Sequence, residues 1–159
     1  MNFQIILGLL LTVLPVVELR GGLPVIVDYV LREGVSIWPY FVLVLILNVL
    51  VIYLIFLFLD FLHEGLMKWG FYRRRFEKIL QKIQKKVRRV DSKMGGADYF
   101  ALMLLVAVPL PGTGAWTGTL IAWVLGLNRL KSFIAIALGV IIAGALVLLA
   151  SLGLFSVIY

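Results

Sequence analysis

Two charged residues, Glu18 and Arg20, interrupt a segment that is otherwise almost wholly apolar, with Phe3 to Val17 before them and Val25 to Leu31 beyond. A charge at the centre of a membrane helix costs about 2.5–3.5 kcal/mol on insertion scales, so such a pair needs a mutual contact, a distant partner or water. Burial disfavours an ionised carboxylate and a neighbouring guanidinium favours it. A balance between the two lets a carboxylate take up and release protons. Glu18 is therefore the candidate proton-coupling residue, and Arg20 the one that attracts an anionic group or tunes that carboxylate. The same pair also reads as a structural ion pair or as interfacial. Asp28, just inside the external interface, is placed to assist Glu18.

A second constellation carries no charge. Pro111, Gly112, Thr113, Gly114 and Thr117 combine small side chains, exposed backbone and the positive end of a half-helix starting near Ala115. Helix N-termini of that kind attract anionic groups. The glycines serve equally well to let two helix tips touch, and Trp116 reads either as a substrate-facing aromatic or, better, as packing. Asp60, His63 and Glu64 read as polar anchors at the inner end of a span. His63-Glu64 is no H-E-x-x-H zinc motif, since Met67 holds the second histidine position. No catalytic residue, metal site or cofactor motif is expected from a chain with a single histidine, no cysteine, no Walker loop and no dinucleotide fingerprint. An enzyme is disfavoured.

These residues must be held by membrane elements. Of 159 residues, 63% are hydrophobic and 14% charged, against about 45–50% and about 25% in soluble domains, so the chain selects for lipid rather than water. Phe3–Val17 lacks a basic n-region and a small-x-small cleavage site, and is expected to remain as mature structure. A shift of 94 residues places Pro15 on Pro109, Glu18 on Gly112, Arg20 on Gly114 and Gly34 on Asn128. Each half then reads as a short apolar helix, a Pro/Gly-rich break, a second short helix, a polar turn and one long span.

Pro15 and Pro24 in the first half, and Pro109 and Pro111 in the second, remove backbone donors. Unpaired backbone survives at membrane depth only when buried in protein or lining a wet cavity, which points to two re-entrant hairpins rather than two kinked through-helices. The fold expected is a single all-α membrane domain, residues 1–159. It comprises hairpin 3–33, transmembrane helix 38–62, a basic segment 63–98, hairpin 99–127 and transmembrane helix 132–158.

Eleven of the fifteen Lys and Arg lie between His63 and Asp98, against four carboxylates. By the positive-inside rule this loop is cytoplasmic, which makes the two halves an inverted repeat in the plasma (inner) membrane with both termini outside. Phe76, Ile79, Leu80, Ile83, Val87, Val90 and Met94 form one apolar helix stripe in this segment. The basic faces carry Arg73, Arg74, Arg75, Lys78, Lys82, Lys85, Lys86, Arg88, Arg89 and Lys93. They suit an anionic leaflet, or equally a topology-setting loop that packs on the protein. Nucleic acid is not an expected partner. Membrane lipids, an amphipathic or lipid-linked small molecule and protons are, and so small a chain invites a homodimer.

The break Leu14-Pro15-Val16-Val17-Glu18-Leu19-Arg20-Gly21-Gly22-Leu23-Pro24, taken with Pro109-Leu110-Pro111-Gly112-Thr113-Gly114-Ala115-Trp116-Thr117-Gly118, resembles the small multidrug export protein family. That family is similar in layout to the DedA/VTT membrane superfamily. The resemblance covers essentially the whole chain. It implies facing re-entrant hairpins and transport of amphipathic or lipid-like compounds driven by an ion gradient. Glu18 and Pro24 match the acidic residue and proline of the first hairpin, and Pro111-Gly112 the Pro-Gly of the second. DedA proteins flank that Pro-Gly with arginines where this chain has Val108 and Gly114, and Arg20 sits in the opposite hairpin instead. The alternative function is an uncoupled lipid scramblase or membrane-organising protein that binds anionic lipid.

Overall fold

A computed structural model describes residues 3–67 and 96–158. Six helices occupy the described residues: α1 Phe3–Val13, α2 Glu18–Glu33, α3 Trp38–Met67, α4 Ala97–Ala107, α5 Ala115–Val124 and α6 Arg129–Ile158. The element order is the same in each half: short helix, break, short helix, turn, long helix. The expected basic amphipathic helix, with Arg73 to Lys93 and its apolar stripe, lies outside the described residues.

The long helices α3 and α6 have 30 residues each, about 45 Å at 1.5 Å per residue, enough to cross a bilayer and its interfaces. Trp38–Gly65 and Arg129–Phe155 reach mean hydropathies of 3.2 and 2.9. Ile46, Leu50, Leu54 and Phe58 on α3, and Ile134, Leu138, Ile142 and Leu149 on α6, are exposed. Apolar surface displayed along helices of this length is suited to lipid rather than water, and the chain is an integral membrane protein. The core lies beneath, where Leu19, Leu23, Ile26 and Val27 of α2 are fully buried together with Val44, Ile52, Val106, Ile136 and Val140.

Four boundaries differ from expectation. The first break spans only residues 14–17, and α2 begins at Glu18 and runs through Gly21, Gly22 and Pro24. Pro24 has no N–H to offer the Arg20 carbonyl, yet packing against α1 holds the helix together. The approach is close, since a Cβ on Gly22 would come within 2.1 Å of Thr12 Oγ1 and 2.3 Å of the Gly8 carbonyl oxygen. Helix α3 continues past Leu62 to Met67, so Asp60, His63 and Glu64 are helical. Arg129 to Lys131, expected as a turn, open α6, and Asn128 caps them by accepting from the Lys131 N–H at 3.2 Å. Gly34 (φ +65°) closes α2 and Gly126 (φ +66°) follows α5, each in the left-handed conformation that ends a helix. This ends α5 at Val124 rather than Leu127.

Helices α1 and α2 pack antiparallel, with Gly8 against Ile26 and Thr12 against Gly22. Helices α4 and α5 also return: the Tyr99 hydroxyl, at the start of α4, accepts from the Asn128 N–H at 3.2 Å, and Val106 lies against Gly118. The long helices are antiparallel as well, because Arg129 at the start of α6 pairs with Asp60 near the end of α3. Hence the open end of α1–α2 adjoins the start of α3, and the open end of α4–α5 lies near its finish.

Candidate functional site

The two breaks meet. Two backbone features of the first make this possible: Val16 has φ +74° and Glu18 φ +48°. Neither is glycine, and a β-branched residue there is a genuine outlier, costing of order 1–3 kcal/mol. The sharp reversal after Pro15 places Glu18 on the first residue of α2, buried at 3% exposure and facing the other half of the chain. In the second break the reversal falls on Gly112 (φ +79°), the position aligned with Glu18 by the 94-residue shift, where glycine adopts the left-handed region without strain.

Glu18 closes the N-terminus of α5. Its Oε1 accepts from the Trp116 N–H at 3.0 Å and its Oε2 from the Ala115 N–H at 3.2 Å. These are two of the amides that a helix N-terminus leaves unpaired, and the carboxylate meets the positive pole of the helix dipole. Gly114 is what permits the approach: a Cβ there would stand 1.4 Å from Glu18 Oε2.

Arg20 does the complementary task. One terminal nitrogen donates to Glu18 Oε2 at 3.2 Å. The other reaches the carbonyl oxygens of Val106 and Val108 and Thr113 Oγ1, each at 3.2 Å. Those carbonyls belong to the C-terminal end of α4, its negative pole. The interrupted α4–α5 unit therefore presents a negative and a positive helix end side by side, and the first break supplies one matching charge to each. The side chains of Arg20 and Glu18 are only 11% and 4% exposed, so the constellation is enclosed, while the Arg20 Nε–H has no hydrogen-bond partner among the described residues.

Thr113 donates to the Leu110 and Val108 carbonyls at 2.9 Å, and Thr117 to the Gly112 carbonyl at 2.5 Å, so both hydroxyls brace the second break. Trp116 spans the two breaks: its indole N–H donates to the Val13 carbonyl at the end of α1, 3.1 Å away. Glu18, Arg20, Gly112, Thr113, Gly114, Trp116 and Thr117 are thus gathered at or beside one centre. Pro111 lies in the loop beside it, and Pro24 sits further along α2. Asp28 is not at the centre: ten residues from Glu18, about 15 Å along the helix, it pairs with Arg32 at 3.1 Å.

Charge in an apolar run located Glu18 and Arg20. Their partners are mostly backbone groups, which carry no sequence signal beyond the rule that interrupted helices expose their poles. A second contact was also missed: Asp60 accepts from the Trp123 indole at 3.0 Å and pairs with both terminal nitrogens of Arg129, one at 2.7 Å. Through Trp123 it fastens the far end of α5 to α3, while His63 meets the Trp123 ring edge-on at 5.5 Å between centroids.

No curated protein and no solved structure matches the chain. Residues 18–146 match the family described as "Putative small multi-drug export protein". That match covers well over half of the chain and contains Glu18 and Arg20, the whole of the second break and the first eighteen residues of the second long helix; the chain belongs to the small multi-drug export protein family.

Proposed function

We propose that this is a proton-coupled secondary transporter that moves an amphipathic or lipid-like small molecule by alternating access between two re-entrant hairpins. The observation that carries the reading is the Glu18–Arg20 pair seated between the opposed helix ends of α4 and α5. Discontinuous helices that meet at mid-membrane are how many transporters bind charged groups, with half-helix N-termini facing anions and carbonyl ends facing cations. Here both ends are already filled by the protein's own charges, an occluded arrangement.

Protonating Glu18 removes the negative charge from the α5 N-terminus and from Arg20. The two amide bonds weaken and the guanidinium is left without its counter-ion. An anionic group on the substrate then takes the vacated position, and loss of the proton on the other side restores the pair and expels it. Binding of the proton and of the substrate are in this way linked through one carboxylate.

The hairpin reading draws support from the antiparallel return of both helical pairs, and from their open ends lying near opposite ends of α3. With the basic segment 63–98 cytoplasmic, the α1–α2 unit opens outside and the α4–α5 unit inside, so the repeat is inverted in a plasma membrane with both termini outside. Single cysteines at the exposed Ser36 and Asn128 test this, since the chain has no native cysteine. An impermeant thiol reagent should label them from opposite sides. Labelling from the same side defeats the inverted arrangement and alternating access with it.

For coupling, proteoliposomes with an imposed pH gradient are loaded with the amphipathic anion anilinonaphthalenesulfonate, and a fluorescent phosphatidylglycerol is carried in the bilayer. Wild type should move one of these probes faster with the gradient than without, and Glu18→Gln should abolish that difference in correctly folded protein. Gradient-independent flip of the lipid, unaffected by Glu18→Gln, would favour an uncoupled scramblase and overturn the coupling role.

A further inference from the structure

Away from the polar centre, α3 and α6 leave a groove between them on the lipid-facing surface. Its upper part, about 480 Å³, is lined by apolar residues including Leu45, Val49 and Ile141. Its lower part, about 370 Å³, includes Leu57, Leu130 and Arg129. Tyr53 and Phe133 line both, so the two parts are continuous. We infer that this groove is a binding site for one acyl chain of an anionic glycerophospholipid, with the phosphate on Arg129.

Length and charge select that occupant. On α6 the groove runs from Arg129 to Ile141, about 18 Å at 1.5 Å per residue, close to the roughly 15 Å depth of one leaflet's hydrocarbon. It covers less than half of either long helix, whereas a second copy packing helix to helix would need a seam along most of the span. The wall is apolar throughout, and the cation stands at one end only, as a chain with a head group requires.

Arg129 is suited to a phosphate. Its side chain is 63% exposed. Asp60 takes two of its five N–H donors, leaving three for phosphate oxygens in the planar array that guanidinium offers. The pairing with Asp60 orients the guanidinium rather than consuming it. Lys131 is also exposed in the first turn of α6, its ammonium 5.7 Å from the Tyr99 ring centre, and adds positive charge at the same end. This site is distinct from the Glu18 centre and does not need it for its test.

The full chain is reconstituted in bilayers of equal phosphatidylglycerol and phosphatidylcholine, released in mild detergent, and its retained lipids are counted by native mass spectrometry. Wild type should retain phosphatidylglycerol preferentially. Arg129→Gln should lower that preference about fivefold, the scale expected of one cation beside an anionic head group. Val49→Phe and Ile141→Phe fill the groove without touching the charges and should lower retention of the same lipid. Leu149→Phe, on an exposed position of α6 beyond the groove, should not. Thermal unfolding of each variant identifies any that fails to fold, and the groove is filled from two helices so that one failure leaves the test intact. Equal retention of the two lipids by wild type, or wild-type retention in folded Val49→Phe and Ile141→Phe, overturns the proposal. So does conversion of a dimer to monomers by those variants, which would make the groove an interface between copies.

Discussion

The two breaks solve one problem, a chain reversal between half-helices, in opposite ways. The second places Gly112 where φ is +79°, flanks it with Pro109 and Pro111, and carries no charge; its assets are the exposed poles of α4 and α5. The first uses Val16 and Glu18 in the left-handed region, where both are strained, and carries a carboxylate and a guanidinium. A glycine at position 18 would relieve the backbone but bring no carboxylate to the α5 amides. The difference teaches that strain sits on the charge-bearing side because the charge must be there, and that the neutral side is free to use the residue that turns most easily.

The comparison breaks most severely at Glu18. Glu18→Ala leaves Arg20 enclosed without its counter-ion and frees two amides at the α5 N-terminus. Removing one partner of a buried ion pair costs about 3–5 kcal/mol, and thermal or denaturant unfolding in detergent should register a loss of that order. Glu18→Gln keeps an acceptor for the amides and should lose less, which separates the ion pair from the cap. A loss under about 1 kcal/mol for Ala would show that an enclosed pair was not holding the tips together.

Next comes a test within the second break. Gly114→Ala would push a methyl group onto Glu18 Oε2 and displace the carboxylate from both amides, a loss of about 1.5–3 kcal/mol if it behaves as one hydrogen bond to a charged group. Gly112→Ala meets no atom of the described residues within 4 Å and should cost only the left-handed backbone, about 1–2 kcal/mol. Gly114→Ala should also change gradient-driven transport, whereas Gly112→Ala should act on stability. Equal effects on transport would mean that Gly114 serves the loop and not the carboxylate.

How much of this was legible follows from where each signal resides. The six-element order was readable because apolar runs and the prolines at 15, 109 and 111 mark it directly. Glu18 and Arg20 were readable because charges are rare in such runs. The start of α2 was not: Gly21, Gly22 and Pro24 are helix breakers locally, and only the close contact of Gly22 with Thr12 and Gly8 makes them helical. Val16 announces no left-handed turn, since nothing in its type favours one. The Arg20 contacts lie 86 to 93 residues away along the chain and mostly end on carbonyl oxygens, which every residue has. Asp60 read as a polar anchor and Arg129 as part of a turn, with nothing to join them, for the same reason: their pairing depends on α3 and α6 running antiparallel.

A change of opposite sign sharpens the contrast. Val16→Gly removes a β-branched side chain from φ +74°. Val16 is 64% exposed, so little packing is lost. The relief of about 1–3 kcal/mol is offset by the roughly 0.5–1 kcal/mol of extra freedom glycine has when unfolded, and a net gain near 1 kcal/mol in the unfolding measurement is expected. If the strain also sets the position of Glu18, the stabilised variant should show weaker gradient coupling. A gain in stability with coupling unchanged would make the strain incidental to the site.

The smallest effect belongs to the other end of α5. Asp60 resembles Glu18 in kind, a carboxylate that takes an arginine and an N–H from α5, but its side chain is 26% exposed and that of Arg129 63%. Water and salt screen such a pair, and exposed ion pairs are worth about 0.2–1 kcal/mol. Asp60→Asn retains an acceptor for the Trp123 indole and should fall within that range, with the loss diminishing as salt is raised. The Glu18 effect, being enclosed, should hardly change with salt. A salt-independent loss of several kcal/mol at Asp60 would mean that the base of α5 is fastened as firmly as its tip, and α5 would then have no loose end on which to move.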